Sequence, residues 1–231
     1  EKGAEMHKSK GNAIWFEEAA EKMGVDTMRW LYTRHNPAVN LNFGYGVADE
    51  VRRQLLIPLW NVYSFFVTYA NIDGYEPGGD EPAVSERSEL DRWILSELNQ
   101  LTSEVTEAME GYEPDKAAHL VESFVAYLSN WYVRRSRRRF WKAGVLGEGS
   151  DDADKLSAYA TLYECLTTIV KLVAPIMPFV TDAIHRNLAS PGAKGTTESV
   201  HLADYPVPNP ALIDRRLSDA TRLAMTLSSL G

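Results

Sequence analysis

Cysteine is nearly missing from this chain: Cys165 is the only one among 231 residues. That excludes an internal disulfide and any multi-cysteine zinc site within this span. Cys165 lies in the apolar run Leu162-Tyr163-Glu164-Cys165-Leu166, where a small thiol is expected to behave as a core residue. Histidine is scarce as well. His35, His119, His185 and His201 are scattered without ligand spacing, so no metal site is expected. The order of residues supports no Ser-His-Asp arrangement. No signal-peptide pattern is visible, and no apolar run reads as long enough to cross a membrane. The cytoplasm is therefore the expected compartment. An internal repeat and a βαβ alternation are also absent.

What is present suits a folded protein. Apolar residues make up 45% of the chain, enough for a proper core and too many for a disordered one. The length fits one large or two modest domains. The net charge of −8 argues against a nucleic-acid partner only if the charge is spread evenly, and it is not. Between residues 123 and 147 there are six basic side chains, Arg134, Arg135, Arg137, Arg138, Arg139 and Lys142, and no acidic one. Acidic residues gather elsewhere, at 76–91 and 148–154. A basic patch on an acidic body binds polyanions locally while the rest repels them.

Apolar periodicity is helical almost throughout. The pattern predicts a short helix led by Asn12 and ending near Gly24, then one capped by Asp26 and running to about His35. Residues 36–46 read as an extended connector, and 47–70 as a long helix kinked or split at Pro58. Residues 73–85 form a linker. Helices are expected at 86–109, 115–142, 154–174, 179–188 and 211–230, with mobile loops at 147–152 and 190–198 and an extended piece at 200–202. The fold class is all-α, a helical bundle.

Two sets of residues need sorting on these helices. On the 115–142 helix, Ala117, Leu120, Val121, Phe124, Leu128, Trp131 and Tyr132 share one apolar face. One more turn of that face lands on Arg135 and Arg139, which are expected to be partly buried and paired with carboxylates, Asp91 or a glutamate of the preceding helix, since an unpaired buried arginine is too costly. Arg134, Arg137, Arg138 and Lys142 are left as the candidates for RNA phosphates. Trp60, Tyr63, Phe65, Phe66 and Tyr69 form a tempting base-stacking set, but at helical spacing they read as core, as do Trp93 and Ile94.

Near the start, Glu5-Met6-His7-Lys8-Ser9-Lys10-Gly11-Asn12 reads as a phosphate-binding loop. Lysines supply mobile point charges, Gly11 allows a sharp turn, and Asn12 is a helix cap. Such cations suit chemistry that spreads charge over a departing polyphosphate.

Met6-x-Lys8-Ser9-x-Gly11-Asn12 resembles the KMSKS loop of class I aminoacyl-tRNA synthetases. Lys8 matches the second lysine of that motif and Ser9 its last serine. Glu5 stands where the family has its first lysine and His7 where it has a serine, which leaves Lys10 to supply the missing charge. Further resemblances follow in order: Gly24-Val25-Asp26-x-Met28-Arg29-Trp30, Asn40-Leu41-Asn42-Phe43, Leu59-Trp60-Asn61-Val62-Tyr63-Ser64-Phe65-Phe66, Tyr69-Ala70-Asn71, Leu90-Asp91-Arg92-Trp93-Ile94-Leu95, and the run from Ser129 to Trp141. Over nearly the whole chain the pattern is similar to the isoleucyl-tRNA synthetases, with the valyl and leucyl enzymes as close relatives.

The resemblance implies a fragment of an ATP-dependent ligase. Residues 1–46 would be the end of a catalytic domain carrying the loop, and 47–231 a helical anticodon-binding domain with a C-terminal extension. Lys8 would be catalytic, and Lys8, Ser9 and Lys10 would contact the phosphates of ATP, bound with Mg2+. The loop would close when ATP binds. The partner would be isoleucine tRNA, and the protein a monomer. The family's HIGH motif, amino-acid pocket and editing domain lie outside this stretch, so the chain alone is not expected to activate isoleucine. A free-standing helical tRNA-binding module and a scaffold that binds no nucleic acid are the alternatives from other classes.

Overall fold

The structure is a computed structural model describing residues 5–79, 81–142, 152–189 and 197–230. No strand occurs among them. Ten α-helices run in chain order: α1 Phe16–Met23, α2 Val25–Thr33, α3 Tyr45–Val51, α4 Ile57–Asp73, α5 Glu89–Glu110, α6 Pro114–Tyr127, α7 Arg134–Phe140, α8 Ala153–Val173, α9 Pro178–Leu188 and α10 Arg215–Leu230. Two π-helical turns, Arg52–Leu56 and Leu128–Val133, join α3 to α4 and α6 to α7 without a break. The helical bundle expected from periodicity is therefore present.

Local chemistry accounts for most helix ends. Ser88 caps α5: its hydroxyl oxygen accepts from the Asp91 amide at 3.3 Å, satisfying one of the first-turn donors. Pro114 and Pro178 open α6 and α9, where a missing N–H costs nothing. Gly74 closes α4 in the left-handed region at φ 66°, a conformation that a Cβ disfavours.

The core runs the length of the bundle. α5 and α6 pair, and α8 packs against α4, α5, α7 and α9. Tyr159, Leu162, Cys165, Leu166 and Ile169 of α8 are buried with Trp93, Ile94 and Leu95 of α5 and Leu128 and Tyr132 of the second π turn. Burial pushes the Cys165 thiol well above its ordinary pKa, so it is an inert core residue. α10 lies across α5, held by Ser96 Oγ against Ser218 Oγ at 3.2 Å and by Arg222 donating to Glu97 at 2.8 Å.

Several elements differ from the sequence expectation. α1 begins at Phe16 rather than Asn12, and α3 at Tyr45 rather than 47. Asp26 is not a cap of its own helix; Gly24 takes that position. Residues 200–202 form a 3-10 turn instead of an extended piece. Pro58 does not split its helix, because it follows the π turn at the start of α4, where an amide donor is dispensable. The expected mobile loops lie largely outside the described residues. The continuous helical segment Tyr45–Asp73 is, by length and composition alone, apolar enough to cross a membrane. Here Leu55, Leu59, Val62 and Phe66 are instead buried within the bundle.

Candidate nucleic-acid interface and phosphate loop

The arginine run belongs to the helical segment formed by α6, the second π turn and α7. The apolar face read from sequence holds as far as Tyr132. Beyond it, Val133, Ser136 and Phe140 are buried, the last two one residue later than the wheel placed them. A π turn takes one residue more than an α turn, so it advances every later side chain by one position. Arg139 keeps the expected partner: its guanidinium grips Asp91 through two bonds of 2.7 Å. The Asp91 side chain is 0% exposed and that of Arg139 12%. Tyr132 donates to the same carboxylate at 2.6 Å, and Asp154 adds a second ion pair to Arg139 at 2.9 Å. Burial works against the Arg139 charge, but hydrogen bonding to Asp91 and the neighbouring anions hold its pKa above the ordinary guanidinium value.

Arg135 corrects the sequence reading. It is exposed, and its guanidinium lies over the Trp131 ring, 4.9 Å from the centroid. The π turn carries it off the buried face, so it needs no carboxylate; an aromatic face stabilises it instead. Arg134, Arg137, Arg138 and Lys142 are all exposed, without an ion pair among the described residues. By helical spacing, Arg134 and Arg138 follow one another along one side of α7, with Arg135 beside them and Arg137 flanking, and Lys142 lies just past the end of the helix.

Buried contacts fasten the end of this strip. Lys155, only 1% exposed, donates from Nζ to the Lys142 carbonyl at 3.0 Å and pairs with Asp73 at 2.7 Å. Tyr159 donates to the same Asp73 carboxylate. Trp141 is half exposed and donates from Nε1 to the Tyr69 hydroxyl at 2.7 Å. Of the aromatic set on α4, Tyr63 and Phe66 are buried and Phe65 and Tyr69 are half-buried, as expected of core. Trp60 departs from it: the ring is 51% exposed, beside a pocket lined by Ile57, Val180 and Ile184.

The N-terminal loop is organised by its own polar groups. The His7 amide donates to Asn12 Oδ1 at 2.8 Å, and Asn12 Nδ2 donates to the Glu5 carbonyl at 3.0 Å. Asn12 thus staples the loop rather than capping α1. Lys8–Lys10 form a 3-10 turn, and Gly11 reverses the chain at φ 66°. Ser9 and Lys10 are exposed; the Lys8 side chain lies outside the described parts. An outward hydroxyl and ammonium are a donor set that suits phosphate oxygens. No group of three or more His, Cys, Asp or Glu among the described residues could hold a metal ion.

Sequence reasoning missed a clamp between α2 and the junction of α8 with α9. The carboxylate of Asp26 accepts from the Phe179 and Val180 amides at 3.4 and 2.7 Å, at the N-terminus of α9. Arg29, one turn on, donates to the Ile176 and Pro175 carbonyls at 2.6 and 3.2 Å, just past the C-terminus of α8. Each charge meets the helix end whose dipole it complements. Trp30 of α2 and Arg34, which caps its C-terminus, both reach Glu122 of α6, at 2.9 and 3.1 Å.

Residues 91–229 match the family described as the anticodon-binding domain of tRNA ligase. The chain belongs to this family. Its curated relatives are isoleucine–tRNA ligases: that of Dehalococcoides mccartyi strain CBDB1 is 50% identical over all of this chain and 22% of its own length. The Thermus thermophilus protein is 41% identical with the same coverage, and that of Porphyromonas gingivalis is 45% identical over 99% of this chain and 19% of its own length. The chain therefore spans about a fifth of the relatives it matches. Among solved structures, the Agrobacterium radiobacter K84 agnB2 LeuRS, in a ternary complex with tRNA and LeuAMS, superposes with a TM-score of 0.63 at 15% identity, over 92% of this chain and 23% of that one. At that identity the likeness concerns the fold.

Proposed function

We propose that this chain is the tRNA-binding part of an isoleucine–tRNA ligase, with residues 1–46 as the junction to the catalytic domain and 47–231 as the anticodon-binding bundle. The observation that carries the reading is the exposed strip of Arg134, Arg137, Arg138 and Lys142 on a body of net charge −8, in a chain matched over its full length by isoleucine–tRNA ligases. The partner is isoleucine tRNA. The strip contacts its phosphates, which position the RNA, while base contacts specify it.

In the same reading the loop serves the chemistry. The whole enzyme joins isoleucine to ATP, releasing pyrophosphate, and then passes the acyl group to the terminal ribose of the tRNA. No covalent nucleophile on the protein is needed. Lys8, Ser9 and Lys10 stabilise the phosphate charge of ATP. Mg2+ accompanies the nucleotide; no group of three or more His, Cys, Asp or Glu among the described residues could hold it. The enzyme works as a cytoplasmic monomer.

Titration of the chain with isoleucine tRNA, an anticodon-altered version and valine tRNA over a range of salt tests the reading. Salt-sensitive binding that prefers the isoleucine anticodon is expected. Absence of salt-sensitive tRNA binding would overturn it.

A further inference from the structure

Arg135 lies over the Trp131 ring and takes no part in the ion pairs that tie the helices together among the described residues. Arg139, four residues on, makes the buried ion pair that ties α7 to α5. Arg135 makes none among the described residues; its guanidinium lies on the indole face instead, 4.9 Å from the centroid. Trp131 itself is half-buried and packed on the core, so one face of the guanidinium is backed by a fixed ring. Arg135 is exposed, and so are Arg134 and Arg138 on the same helix. A backed, planar, exposed cation flanked by two phosphate-seeking arginines matches what a splayed-out base requires. Such bases stack on aromatic rings or on arginine planes while the adjoining phosphates are held by cations.

From this geometry, and resting on the tRNA-binding reading above, we infer that Arg135, backed by the Trp131 ring, is a stacking platform for an unpaired nucleobase. The strip then prefers RNA with a single-stranded loop to a plain duplex. Arg134 and Arg138 hold the phosphates on either side of the stacked base. A lysine at position 135 would keep the charge and lose the plane.

The test is fluorescence-anisotropy titration of a labelled RNA hairpin and of a blunt duplex with the sequence of its stem. The proteins are the unaltered chain and its Arg135→Lys and Arg134→Ala variants, with circular dichroism to verify folding. The unaltered chain is expected to favour the hairpin. Arg135→Lys should lose about tenfold for the hairpin, as for one lost base stack, with duplex affinity and salt slope unchanged. Arg134→Ala should weaken both RNAs together. An Arg135→Lys protein that binds the hairpin as the unaltered chain does, or that weakens equally on hairpin and duplex, overturns the platform and leaves the tRNA reading standing. Failure of the unaltered chain to bind either RNA overturns both.

Discussion

The Asp26 carboxylate accepts the Val180 amide hydrogen at 2.7 Å, across more than half the chain. A residue of an early helix thus caps the N-terminus of a late one, and Arg29 answers it at the neighbouring helix end. Removing the acceptor with Asp26→Ala should cost about 1 kcal/mol, the usual value of a lost cap. Asp26→Asn, which keeps an acceptor oxygen, should cost less. Urea denaturation gives the magnitude, and faster amide exchange at Val180 would locate it; unchanged exchange there would contradict the clamp.

The Arg139–Asp91 pair sets a larger scale. Replacing Arg139 by Met strands a carboxylate that is 0% exposed, so a loss of about 3–5 kcal/mol is expected. Adding Asp91→Asn should recover part of it, and a double-mutant cycle in denaturant reads the coupling. Arg137→Ala and Arg138→Ala, at exposed positions, should stay within about 0.5 kcal/mol of the unaltered chain.

RNA affinity should respond in the opposite sense to the same substitutions. Each phosphate contact contributes about 0.7–0.9 to the slope of log affinity against log salt. Neutralising Arg134, Arg137 and Arg138 together should flatten that slope by roughly two units, while Arg139→Lys, which spares the exposed strip, should leave it nearly unchanged. Slopes from anisotropy titrations at several salt concentrations decide the matter.

One acid-sensitive joint follows from Asp182. Its carboxylate accepts from the Ser199 hydroxyl at 2.6 Å and from the Val200 amide at 3.0 Å. The Ser199 bond chiefly, with the Val200 amide and Arg186, holds its pKa below the ordinary aspartate value against a smaller desolvation effect. A depressed folded pKa stabilises the fold above the unfolded value. That contribution is lost as pH falls from the unfolded pKa, about 3.9, through the folded one. Protection of the Val200 amide should therefore decline below about pH 4, and Asp182→Asn should abolish this pH dependence.

Much of this architecture was legible because helices advertise themselves by spacing. The bundle, the buried Trp93 and Cys165, and Arg139 with Asp91 all follow from periodicity plus the cost of an unpaired buried charge. Arg135 was misplaced for a definite reason: a wheel assumes a constant turn, and nothing in Leu-Ser-Asn-Trp-Tyr-Val announces a π turn. The spacing of Trp131 and Arg135 was the available signal for their stack. Asp26 carried the local signature of an N-cap, and a carboxylate near a helix start looks the same whether it caps its own helix or another. Trp60 read as core because spacing identifies a face without showing where coverage ends. The strip of Arg134, Arg137, Arg138 and Lys142 was legible as exposed charge; its fastening through Lys155 and Asp73 was not, since residues that meet across helices leave no mark in sequence spacing.

The π turn at Leu128–Val133 separates how many residues precede the arginines from where they point. It stores one surplus residue as a phase offset. A chain shortened by one residue in this turn would relax to an ordinary α turn and still aim Ser136 and Phe140 inward and Arg135 outward. Relatives that differ in length by one residue here can therefore present the same basic face, and alignment by count alone would set their arginines against the wrong partners.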